Sequence, residues 1–251
     1  MTKKYAGVYP PLIQRIQAEE EHRGGKQALK AVKTKLHQLY GAYTQDNAHK
    51  KALALLNDME KGIDVTHKLL SLHASTKERL EHYHEFYDFI LEYTGPVESI
   101  IDIGCGYNPF SVKLIPTAIK AYHAYDIDVR VADMLNRYFA LLEMPPLAKC
   151  ADLAVDIPNT EADVALMCKL VPVLEAQSQG SGFRLARNLR VGYLLVTYPL
   201  KSLGGREKGM GKHYGTAFEK ALADGEMGHF VQVAKRQIGN ELLYLMRKEI
   251  C

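Results

Sequence analysis

The chain has 251 residues, 47% of them hydrophobic and 24% charged, with a formal net charge of +3. Length and balance fit a folded protein with a sizeable core and exclude a largely disordered chain. No window approaches 18 uncharged apolar residues, so no membrane span is expected, and the N-terminus lacks the apolar stretch of a signal peptide. Cys105, Cys150, Cys168 and Cys251 have neither a disulfide-scaffold density nor a metal-ligand spacing, which points to a reduced, cytoplasmic protein with no metal.

The charge is unevenly placed. Residues 1–55 hold ten Lys or Arg against four acids, residues 56–95 hold four against eight, and residues 184–213 hold seven against Glu207 alone. The two basic segments are either separate solvated surfaces or, if folded onto one face, a footprint for a polyanion.

Residues 1–94 read as a helical, basic N-terminal domain and linker. From Gln27 to Tyr43, the residues Leu29, Val32, Leu36, Leu39, Tyr40 and Tyr43 keep the helical period, and Lys26, Lys30, Lys33 and His37 form a positive stripe beside them. A second helix over 50–59 carries Leu53, Leu55, Leu56 and Met59. Ser75 and Glu78 have capping-box spacing, which predicts one helix from there to about Tyr93, with Leu80, Tyr83, Tyr87 and Ile90 inward.

The pattern changes at Gly95-Pro96. Strand-like runs follow at 97–103, 121–126, 162–167, 193–198, 230–235 and 241–246, most of them separated by helical or loop segments. Residues 95–251 thus read as an α/β domain with a mostly parallel sheet, ending in a hairpin through Arg236–Asn240.

The run Asp102-Ile-Gly104-Cys-Gly106-Tyr-Asn-Pro109 follows the first strand. Glycines there let the backbone approach a ligand at the crevice of an open sheet. The third glycine of the dinucleotide fingerprint is replaced by Pro109, and no P-loop Lys-Ser/Thr is present. Asp126 ends the next strand, where a carboxylate can accept from two ribose hydroxyls, and Asp152 stands where it could receive an adenine amino group. This order of acid, Gly-x-Gly, acid and acid resembles class I S-adenosylmethionine-dependent methyltransferases of Rossmann-like fold.

Five motifs occur in order: His73-Ala-Ser-Thr-Lys-Glu-Arg79, Asp102–Pro109, Lys169-Leu-Val-Pro-Val-Leu-Glu175, Tyr198-Pro-Leu-Lys-Ser-Leu-Gly204 and Ile238-Gly-Asn-Glu-Leu-Leu-Tyr244. Together with Lys35–Tyr43, they resemble the aminoglycoside-resistance 16S rRNA methyltransferases, which methylate guanosine 1405 at N7. The resemblance covers nearly the whole chain. It implies S-adenosyl-L-methionine as cofactor and the 16S rRNA of the small ribosomal subunit as partner. It places His73, Ala74, Ser75 and Arg79 at the methionine end, with Arg79 gripping the carboxylate bidentately. It places Gly104 beside the cofactor, Asp126 at the ribose, Asp152 and Leu153 at the adenine, and Cys168 and Gln177 at further contacts. Gly104 stands where some relatives have Ala, and Cys168 where they often have Phe or Leu. Asn108, Lys169 and Tyr198 are candidates for positioning the reacting groups, with Tyr198 either stacking on the target base or buried at the sheet edge. Lys26, Lys30 and Lys33, together with Lys201, Arg206, Lys208 and Lys212 in a glycine-rich loop, are the expected RNA contacts. A monomer is the default.

Three other readings compete: a methyltransferase for another RNA site or a small molecule, a non-catalytic RNA-binding ribosome-assembly factor, and a nicotinamide-dependent dehydrogenase. The basic N-terminal segment argues against a small substrate. The intact Gly104, Gly106, Asp126 and Asp152 argue against an idle factor, and the incomplete fingerprint argues against the dehydrogenase.

Overall fold

The structure is a computed structural model that describes residues 5–41, 47–200 and 210–249. The helices before the first strand are α1 (Pro10–Glu20), α2 (Gly25–Leu36), α3 (Ala48–Met59), α4 (Thr66–Leu70), α5 (Ala74–Arg79) and α6 (Tyr83–Thr94). Two prolines open α1, where the missing N–H costs nothing. Helix α2 crosses α1 along Val32–Leu36, and there Lys35 Nζ bonds Glu19 Oε2 at 2.8 Å and Glu20 Oε1 at 2.6 Å. Leu29 shares the apolar face of α2 but lies a turn short of that crossing, so it is 49% exposed rather than buried. The predicted helix over 27–43 ends early: α2 passes into a π-helical turn at His37–Gly41, and Tyr43 is outside the described residues.

The single helix predicted from Ser75 to Tyr93 is instead α5, a 3-10 turn at Leu80–His82, and α6. The capping box does not form. Glu78 bonds Lys169, and Thr76 Oγ1, not Ser75, donates back to the carbonyls of Leu70 (2.5 Å) and His73 (3.2 Å). Tyr83, Tyr87 and Ile90 are buried as the periodicity requires.

Beyond Gly95 run β1 (Ser99–Ile103), β2 (Ala121–Asp126), α7 (Val129–Leu141), β3 (Ala148–Cys150), β4 (Glu161–Cys168), α8 (Val171–Glu175), α9 (Ser181–Asn188), β5 (Arg190–Pro199), α10 (Met210–Ala223), β6 (Phe230–Ile238) and β7 (Glu241–Lys248). The sheet order is β3-β2-β1-β4-β5-β7-β6, parallel from β3 to β5, with β7 antiparallel to both neighbours. The last two strands turn over Gly239-Asn240 alone. The order reverses between β1 and β4, the switch point at which ligands enter the crevice of an open α/β sheet.

Alternation along the strands divides the apolar residues between two faces. Ile100, Tyr122, Val164, Leu166 and Leu195 join a core with α3, α4, α6 and α7. Ile101, Ile103, Ala165, Met167 and Val196 join another with α8, α9 and α10. A third core holds only the N-terminal segment, with Leu12 and Ile16 of α1, Val32 and Leu36 of α2, then Leu39 and Tyr40. The helices before Gly95 therefore divide by packing: α3, α4 and α6 cover the sheet, while the α1–α2 hairpin has its own core and leans on Ile127 and Val173. Among the described residues no helix is long and apolar enough to cross a membrane.

Candidate active site

Strand β1 delivers the chain to Gly104 at φ +68°, a left-handed backbone that strains an L side chain. A Cβ there would lie 2.8 Å from Leu170 Cδ1. The N–H groups of Gly104 and Cys105 both donate to Tyr125 O at 2.9 Å, folding the loop over the end of β2. Gly106 N–H then donates to Asp126 Oδ2 at 2.8 Å, and Asp128 N–H to Asp126 Oδ1 at 2.9 Å. These donors orient the Asp126 carboxylate, but burial dominates and pushes it up to about 6.

The loop, the ends of β2 and β4, and the segment after β3 enclose one cavity. His73, Ser75, Arg79, Gly104, Asn108, Asp126, Asp152, Leu153, Cys168, Lys169 and Gln177 all line it. These residues come from six places in the sequence and meet only because the parallel strands end together. Ala74 does not line the cavity. His73 stacks on Tyr107 with ring centroids 5.5 Å apart, and burial, reinforced by Lys169 and Arg79, holds it down to about 4, so its ring is neutral at pH 7. Burial pushes the Cys168 thiol up to about 12 and keeps it protonated.

Arg79 is not a free fork for an incoming carboxylate. Its Nε donates to Glu241 Oε1 at 3.1 Å and its Nη2 to both Glu241 oxygens at 2.8 Å, while Nη1 donates to Asn108 Oδ1 at 2.9 Å. Three of its five N–H bonds are thereby engaged, the Nη2 bond shared between both Glu241 oxygens, so in this arrangement the side of the fork formed by Nε and Nη2 is turned to Glu241. The side chains of Arg79 and Glu241 are 3% and 5% exposed, and Lys169 Nζ adds contacts to Glu78 (2.5 Å) and Glu241 (3.4 Å). Asn108 joins this ion network to Asp102: its Nδ2 donates to Asp102 Oδ2 at 2.8 Å, and its Oδ1 also accepts from Tyr83 at 3.0 Å.

Tyr198 takes the buried alternative. Thr197 points to the α5 side of the sheet, where its hydroxyl donates to Glu241 Oε2 at 2.7 Å, so the next residue must point to the other face. The Tyr198 ring is 2% exposed, 5.5 Å from Phe218 and 5.7 Å from Tyr214, and offers no open face to a base.

Several cavity residues escape motif reading. Leu12, Leu39 and Tyr40 of the N-terminal segment form one wall. Tyr40 donates to Asp128 Oδ2 at 2.6 Å, and Tyr9 N–H to Ile127 O at 2.7 Å, which seat that segment on the end of β2. Arg15 of α1 bonds Asp152 and Gln177. Of these, only Leu39 and Tyr40 carried a signal, their place on the apolar face of the predicted helix. Lys26, Lys30 and Lys33 are exposed beside a shallow groove with Leu29 and His37, and none of them lines the cavity. Lys201, Arg206 and Lys208 lie outside the described residues, as does the side chain of Lys212. Among the described residues no group of three or more His, Cys, Asp or Glu side chains gathers to hold a metal.

Residues 1–245 match the family model described as ribosomal RNA methyltransferase (FmrO). A 16S rRNA (guanine(1405)-N(7))-methyltransferase of Serratia marcescens is 35% identical over 98% of this chain and 94% of its own length. One from Frankia casuarinae is 34% identical over 98% and 90%. Among solved structures, the 16S rRNA methyltransferase RmtF in complex with S-adenosyl-L-homocysteine superposes with a TM-score of 0.89 at 34% identity, over 99% of this chain and 94% of that one. The 16S rRNA methylase RmtB gives 0.83 at 31%, over 99% and 94%.

Proposed function

The chain belongs to the ribosomal RNA methyltransferase (FmrO) family, and from that premise we propose that it transfers a methyl group from S-adenosyl-L-methionine to N7 of guanosine 1405 in 16S rRNA, conferring aminoglycoside resistance. The observation that carries this reading is the cavity at the switch point, where the Gly104–Gly106 loop, Asp126 and Asp152 meet in a chain similar throughout its length to enzymes of that activity.

The residues present fit the cofactor. Gly104 has no side chain where a Cβ would crowd Leu170. Asp126 retains acceptor capacity for ribose hydroxyls after its two backbone donors. Asp152 and Leu153 provide an acceptor and an apolar face for adenine. At the opposite end His73, Ser75, Arg79 and Cys168 would flank the methionine portion, with Arg79 also placing Asn108. When bound, S-adenosyl-L-methionine supplies an electrophilic methyl group on a positively charged sulfur.

Guanine N7 already presents a lone pair, so no proton has to leave before attack and a dedicated general base is unnecessary. Neutral His73 and protonated Cys168 match that requirement. The protein's work is placement and exclusion of water. The Arg79–Glu241–Lys169–Asn108 network fixes the cavity floor in one arrangement. N7 faces the major groove, which is deep and narrow in A-form RNA, so the target base has to be exposed before it can enter. Lys26, Lys30 and Lys33 on α2, with the basic loop at 201–212, would hold the surrounding rRNA of the small subunit through its phosphates. Incubation of the purified chain with small ribosomal subunits and methyl-labelled cofactor tests the reading. Label should enter the 16S rRNA, and Asp126→Ala should abolish its entry. Absence of label with the unaltered chain would contradict the assignment.

A further inference from the structure

The α1–α2 hairpin does more than stand beside the cavity. Arg15 Nε donates to Asp152 Oδ2 at 2.5 Å and its Nη2 to Asp152 Oδ1 at 3.1 Å, while Nη2 also donates to Gln177 Oε1 at 3.0 Å. Its Nη1 donates to Glu19 Oε1 at 2.5 Å, which fixes the guanidinium to its own helix. The Asp152 side chain is 4% exposed, and the Arg15 side chain 20%. A charged fork from the N-terminal segment therefore holds, in one stroke, two side chains that line the far end of the cavity.

We infer that Arg15 is a positioning residue for adenine recognition, and that the N-terminal hairpin supplies it. This rests on the cofactor reading above. Asp152 can accept an adenine amino group only if its carboxylate is correctly turned. Within the cavity its other donor is Ala154 N–H, at 3.4 Å from Oδ1. Arg15 provides the compensating charge and the planar fork that sets the carboxylate plane. Two bonds from Arg15 and one from Ala154 leave acceptor capacity on the carboxylate for one further donor. Gln177, fixed by the same nitrogen, sits beside that capacity. The adenine end of the site is thus assembled from two parts of the chain, and the hairpin has to be docked for it to exist.

The test is calorimetric titration of S-adenosyl-L-homocysteine and of S-inosyl-L-homocysteine, which lacks the amino group, against the unaltered chain, Arg15→Ala, Arg15→Lys and Asp126→Ala. Loss of charge-assisted support should weaken the adenosyl ligand by about tenfold or more in Arg15→Ala. The inosyl ligand should be weakened far less, so discrimination between the two collapses. Arg15→Lys keeps the charge without the fork and should fall between. Equal weakening of both ligands in Arg15→Ala would mean that Arg15 only supports the hairpin, and unchanged adenosyl binding would mean that it does nothing for the site. Either overturns the inference. Asp126→Ala separates the two levels: if that variant still binds like the unaltered chain, or the unaltered chain binds neither ligand, the cofactor reading fails and takes this inference with it.

Discussion

Asp126 links the sequence to the chemistry through one carboxylate. Burial raises it to about 6 in the free protein. Ribose hydroxyls need its ionised form as acceptor, so binding should favour the deprotonated state. Cofactor affinity should accordingly be flat above pH 7 and fall by up to about tenfold per pH unit below pH 6. Titrations across pH 5 to 8 check this, and Asp126→Asn should lose that dependence together with most of the affinity. Glu241 makes a different prediction. Its Arg79 partner is buried, and removing one member of such a pair leaves an uncompensated charge. Glu241→Ala should cost about 3–5 kcal/mol and lower Tm by roughly 6–20 °C in a thermal scan. Asp126 was legible in the sequence because a strand ends on it at a fixed distance after the glycine loop. Glu241 was not, because its partner lies 162 residues away and neither local periodicity nor spacing records such a pairing.

At the scale of elements, strands were easier to read than helix ends. A strand at 121–126 follows from its composition, and the sheet contains it with those bounds. The helix predicted over 75–93 fails in its middle because tertiary contacts outbid the capping box: Glu78 turns to Lys169 and Arg79 to Glu241. Tyr198 shows the same limit. Its strand was legible, but which face it took depended on Thr197 meeting Glu241 across the sheet. Helix α2 has Val32 and Leu36 inward and Lys26, Lys30 and Lys33 exposed. Charge reversal at Lys30 and Lys33 together should therefore weaken binding to the small ribosomal subunit and reduce the slope of log K against log salt by about two. S-adenosyl-L-homocysteine affinity should be unchanged in the same variant. Equal loss of both would point to unfolding of the hairpin instead.

For the whole molecule, the chain is an α/β sheet whose ligand end is closed by a small hairpin with its own core. The hairpin's seat combines the Tyr9–Ile127 backbone bond, the Tyr40–Asp128 hydrogen bond and the Arg15–Asp152 pair. A ligand that needs the hairpin docked must in turn stabilise its docking. S-adenosyl-L-homocysteine should therefore slow amide exchange in α1 and α2 as well as in the Gly104–Gly106 loop, with Tyr40→Phe reducing the effect in the hairpin. Protection confined to the loop would contradict that coupling.

The most direct measurement maps the product. Small ribosomal subunits treated with the chain and S-adenosyl-L-methionine are cleaved chemically at 7-methylguanosine and read by primer extension. The account predicts one new stop, at guanosine 1405 of 16S rRNA, which is lost with Asp126→Ala. A stop at another nucleotide, or none in subunits that have taken up no methyl group, would contradict it.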